Sequence, residues 1–152
     1  MRNITLVIII MFLFGCGYSS IYQNQKTQNF QINVTDIKGD EVMNNLIKNQ
    51  IKLYSNKKSN KIYNLTIDTI YVKDILTKNS SGVITDYTLS VTSIFSIDLN
   101  NQTKIFKFKE KINIKNQTDT FEQNIYEKNI KRNFASSIKE KLISAILSLN
   151  DN

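Results

Sequence analysis

Histidine, proline and tryptophan are absent from this 152-residue chain, and cysteine occurs once. Without histidine, Ser-His-Asp and Cys-His nucleophilic sites are excluded, and zinc sites built on imidazole go with them. A single cysteine excludes an internal disulfide, even though an exported protein would be permitted one. The lack of proline and tryptophan leaves the core to ordinary packing of Ile, Leu, Val, Phe and Tyr. No apolar run is long enough to cross a bilayer as a helix. The longest, residues 4–14, has 11 residues, where a span needs ~17–25.

That short run is informative in its position. It follows Met1-Arg2-Asn3, a brief positive start, and ends at Gly15-Cys16. Its length suits the apolar core of a secretory signal peptide. Leu13-Phe14-Gly15-Cys16 resembles the lipobox of bacterial lipoproteins. The resemblance implies cleavage before Cys16, diacylglycerol on its thiol and an acyl chain on the freed amine. One acyl chain binds a membrane marginally, and two or more hold it stably at ~0.8 kcal/mol per buried methylene. Residues 1–15 are therefore expected to be a lipoprotein signal peptide, and Cys16 the lipid attachment site. The alternative is an ordinary signal peptide with an incidental cysteine, or a short uncleaved anchor. Gly17 stands where an aspartate would resemble an inner-membrane retention signal, which points to the outer membrane.

The formal net charge is +7, one less without Arg2. A basic surface suits an anionic partner such as phosphorylated lipid or nucleic acid. Richness in Lys, Asn and Ile is also what a genome poor in G and C produces, so charge alone discriminates little. Export with a lipid anchor argues against nucleic acid, and no aromatic-bearing nucleic-acid motif is present.

Residues 16–28 read as a polar tether, and residues 29–152 as one α+β domain. Phe30, Ile32 and Val34 alternate with period two, a strand that Gly39 breaks. Asp40 fits a helix N-cap with Glu41 in the first turn. Val42, Met43, Leu46, Ile47 and Tyr54 recur at helical spacing and predict an amphipathic helix over 41–54. A strand follows over residues 61–73: Tyr63, Leu65 and Ile67 share a face, and Ile70 and Val72 continue out of phase. That phase change predicts a bulge at Asp68-Thr69. After a loop at residues 78–82, Tyr87, Leu89, Val91, Phe95 and Ile97 define a third strand. Phe106, Phe108, Ile112 and Ile114 define a fourth, hairpinned to the third. Asn124 with Glu127 predicts a capping pair for a last helix, whose stripe is Ile130, Phe134, Ile138, Leu142, Ala145, Ile146 and Leu149. Lys128, Lys131, Lys139 and Lys141 fall outside that stripe. The order is β-α-β-β-β-α. With one apolar stripe per helix, the expected architecture is a two-layer sandwich, a four-stranded sheet with two helices on one face.

This order, with three local features, resembles the LPS-assembly lipoprotein family, LptE. The features are Cys16-Gly17-Tyr18 with Ile21-Tyr22 nearby, the long strand 87–98 with its Asn-Gln-Thr turn, and the C-terminal amphipathic helix after Phe121 and Tyr126. The resemblance implies a lipoprotein in the inner leaflet of the outer membrane, facing the periplasm. It implies a partner, the β-barrel LPS-assembly protein LptD, whose lumen such proteins plug while lipopolysaccharide is delivered to the surface. It implies no enzymatic reaction and no cofactor. A second reading, from a different class, is an outer-membrane lipoprotein that regulates a peptidoglycan synthase or scaffolds an envelope complex.

Lys107, Lys109 and Lys111 alternate with Phe106, Phe108 and Ile112 on the fourth strand and share one face of it, where they fit contact with phosphates of lipopolysaccharide. A solvated face, or lysines guarding an edge strand, explains the same pattern. The acidic cluster Asp36, Asp40 and Glu41 lacks the alternating ligands of a calcium loop and reads as a turn with a helix cap. No metal site is expected. Asp68, Asp74, Asp86 and Asp98 are scattered, and Ser136-Ser137 near Lys139 and Lys141 is a common surface pairing, so no catalytic residues are expected.

Overall fold

A computed structural model describes residues 30–55, 59–99 and 102–149. Cys16, Tyr18, Tyr22 and the tether lie outside the described residues, as do Asn100 and Asn101 of the expected turn. The elements are β1 (Gln31–Gly39), α1 (Glu41–Tyr54), β2 (Ile62–Lys78), β3 (Ile84–Leu99), β4 (Gln102–Lys115) and α2 (Thr120–Ser148). The sheet runs β1-β2-β3-β4. β1 and β2 are parallel, and the other two pairings are antiparallel. This is the expected α+β sandwich.

The buried face of the sheet is built by alternation: Tyr63, Leu65 and Ile67 on β2, and Leu89, Val91, Phe95 and Ile97 on β3. Met43, Ile47 and Ile51 of α1 and Ile130, Phe134, Ile138 and Leu142 of α2 close over it. Both helices lie on this one face because each has one apolar stripe to hide. Among the described residues no element covers the opposite face.

Entry into α1 is as expected. Asp40 caps it, its Oδ1 accepting from the Met43 amide at 2.8 Å. Asn44, one turn on, is buried and donates to the Lys38 carbonyl at 2.6 Å. Gly39 does more than break the strand. Its φ is +82°, and a Cβ there would lie 2.0 Å from the Thr69 carbonyl oxygen. The Asp40 amide donates to that same oxygen at 2.7 Å. The glycine is where the chain leaves β1 pressed against β2.

Three expectations are corrected. The register of β2 against β3 runs unbroken through Asp68-Thr69, and the irregularity falls at Ile75–Lys78. Ile70 and Val72 are out of phase because they point to the open face, not because the strand bulges. The cap of α2 is Asp119, which accepts from Phe121 and Glu122 amides, so Asn124 lies inside the helix. Asp119-Thr120 was the sequence signal; the pair further along competed with it. Finally Lys139, expected on the polar side, is only 4% exposed. Its ammonium sits 4.2 Å from the Tyr54 ring centroid, a cation–π contact that seats α2 against α1.

Candidate functional site: the open face of the sheet

β4 holds the lysine row as its alternation requires. Phe106 and Phe108 turn toward the helices and stack at 6.4 Å, while Lys107, Lys109 and Lys111 turn the other way. Adjacent lysines on one face of a strand are about 7 Å apart. Among the described residues none of the three forms an ion pair. Cross-strand neighbours complete the surface: Lys107 is beside Ile94 and then Asp68, Lys109 beside Thr92 and Ile70, Lys111 beside Ser90 and Val72. One strand, β3, lies between Lys107 and Asp68, which sets their backbones about 10 Å apart. With no carboxylate of the described residues in ion-pair contact, the row presents its positive charge on the exposed side of β4.

Apolar residues sit among these charges. Ile70 is 58% exposed and Ile105, next to Lys107 on the same face, is 67% exposed. A surface that pairs ammonium groups with exposed isoleucines fits an amphiphile with an anionic head. Reading the sequence found the lysines and missed these isoleucines. For Ile70 the signal was there in the two interleaved apolar series of β2.

The strand that carries the row is braced from behind. Glu110, between the lysines but on the covered face, accepts from Ser137 and Lys141 of α2, each at 2.6 Å. Burial raises the Glu110 carboxyl, but these hydrogen bonds and the Lys141 charge outweigh it and hold the group below the ordinary glutamate value. Glu127 of α2 does the same for β2. It pairs with Lys73 and accepts from Gln123 at 2.7 Å. Burial raises it too, yet the bonds from Lys73 and Gln123 and the charges of Lys73 and Lys131 lower it further. The Ser137 hydroxyl is thus engaged with the carboxylate that Lys141 also meets.

Both carboxylates have lower pKa values folded than unfolded, so their stabilisation is complete above the ordinary glutamate pKa of about 4.3. It is lost as pH falls through the lowered values. The expected result is a urea midpoint that drops below about pH 5. An E110Q/E127Q double variant should lose part of that acid dependence. An unchanged acid limb in the variant would show that neither carboxylate is linked to folding.

No protein-family model and no curated protein matches the chain. Among solved structures it is similar to rare lipoprotein B from Shewanella oneidensis, with TM-score 0.56 and 15% identity over 78% of this chain and 99% of that one. A minor lipoprotein from Acinetobacter baumannii aligns with TM-score 0.50 and 14% identity, covering 72% of this chain and 93% of that chain. A structure from Caulobacter crescentus aligns with TM-score 0.53 and 10% identity over 75% and 84% of the two chains. The fold is shared with bacterial lipoproteins along nearly their whole length. No described helix is long and apolar enough to cross a membrane.

Proposed function

We propose that the chain is an outer-membrane lipoprotein, anchored through Cys16 in the inner leaflet, that plugs and assists the β-barrel LPS-assembly protein LptD. In this reading Lys107, Lys109 and Lys111 receive phosphates of lipopolysaccharide while Ile70 and Ile105 meet its apolar portion. The protein works by contact and catalyses no covalent step. One observation carries most of the weight: a domain with the fold of rare lipoprotein B stands behind a Gly15-Cys16 opening. The exposed lysine row supports the lipid contact.

Affinity purification of the native protein from its own membranes tests the partner. A stoichiometric very large β-barrel is the expected companion. Recovery with a cell-wall synthase alone would replace this reading with the regulator or scaffold. The lysine row has its own test. A lysine at an anionic surface contributes about 1 kcal/mol, so changing all three to glutamine should weaken binding to purified lipopolysaccharide roughly a hundredfold. Added salt should shrink the difference. Unaltered binding would remove the row from the site.

A further inference from the structure

Beyond the lipid contact, β4 has a second surface: its outer edge. Among the described residues no strand pairs with that side of β4. Its register with β3 is continuous from Gln102 opposite Leu99 to Lys115 opposite Asp86, without a bulge. The edge is therefore straight and about 45 Å long, with every second amide and carbonyl directed away from the sheet. The other edge is built differently. β1 is shorter, its register shifts between Val34 and Asp36, and it carries both charges in a Lys38–Asp36 ion pair at 3.7 Å.

We propose that the β4 edge is a docking site for an extended segment of another protein, an acidic strand that adds to the sheet. The chemistry of that strand follows from the two faces of β4. Residues of the incoming segment on the open face would stand beside Lys107, Lys109 and Lys111, which selects Asp and Glu there. Residues on the covered face would stand beside Phe106, Phe108 and Ile112, which are half-buried or exposed and select apolar partners. Main-chain hydrogen bonds provide the binding, and the alternation provides the choice of partner. A second copy of this chain does not fit. Antiparallel pairing of β4 with itself keeps both lysine rows on one face, like charge beside like charge.

The test uses the full chain in detergent and a synthetic peptide that alternates glutamate with valine, long enough to span residues 105–112. Binding is read by peptide fluorescence anisotropy, and pairing by amide hydrogen exchange. The expected result is slowed exchange confined to alternate amides of β4. Affinity should fall on the order of tenfold or more for the K107Q/K109Q/K111Q variant. N-methylating the peptide on alternate residues should abolish binding, because it removes the pairing donors and keeps every charge. Equal binding of the methylated peptide would show plain attraction to surface lysines and overturn the proposal. Equal binding of a peptide with lysine in place of glutamate would overturn it too, as would no binding of either, which would make the lysines edge guards. Slow exchange of the outward amides before peptide is added would mean that the chain's own N-terminal segment occupies the edge, and would also overturn it. None of these outcomes depends on lipopolysaccharide, so this proposal and the proposed function fail separately.

Discussion

Replacing Gly39 by alanine is expected to cost about 3–5 kcal/mol of folding stability, a large fraction of what a domain of this size has. Two effects add. The backbone at φ +82° is strained for any residue with a Cβ, and that Cβ would meet the Thr69 carbonyl at 2.0 Å. The oxygen is backbone in the middle of β2, so it cannot swing aside as a side chain would. Moving it would also disturb the hydrogen bond from the Asp40 amide, which fixes where α1 begins. Gly82 is the natural control. Its φ is +81°, yet nothing lies within 4 Å of the position a Cβ would take. G82A should pay for strain alone, about 1 kcal/mol. Urea unfolding of the two variants separates the effects. Equal midpoints would show that β1 and β2 do not meet rigidly at Gly39.

The second large effect concerns residence at the membrane. Under the proposed lipidation, Cys16→Ser removes the thiol that carries the acyl chains, and with it anchoring at ~0.8 kcal/mol per buried methylene. After fractionation the native protein should be in the membrane pellet and C16S should leave it. Mass spectrometry of the native N-terminus should find acyl chains on a protein that begins at Cys16. If C16S stays in the pellet with residues 4–14 intact, the leader itself is the anchor. C16S is not expected to alter the domain, whose core among the described residues runs from Phe30 to Ile146. A pelleting assay and a urea titration on the same variant therefore report on different parts of the molecule.

Much of the site could be read from residues i to i+4. Period-two alternation from Phe106 to Ile112 places the lysines opposite the phenylalanines whatever the rest of the chain does, since a strand has two faces. Helical spacing and the Asp40 cap likewise located α1, whose observed bounds are Glu41–Tyr54. These are local stereochemical facts, and local pattern is enough to establish them. Local pattern failed where two answers were equally good at short range. Ile70 and Val72 suit a bulge or a second apolar face, and only the unbroken pairing of β2 with β3 chooses between them. Asp119 and Asn124 are both competent caps, and the structure starts the helix at Thr120 with Asp119 as its cap.

Longer-range outcomes were out of reach altogether. Nothing near Lys139 in the chain announces that it will be buried against Tyr54, because that contact exists only once α1 and α2 lie side by side. The same is true of Glu110, a residue between lysines that proves to be the brace between β4 and α2. Whether the lysine row is neutralised depends on which strands lie beside it and how far off their carboxylates fall. Amino-acid order thus dictated the faces, the elements and the lipobox-like Leu13-Phe14-Gly15-Cys16 pattern, all of which are properties of neighbours along the chain. Folding in three dimensions settled which face stayed open, which charges stayed unpaired and which strand became an edge, because those depend on packing between segments distant in sequence.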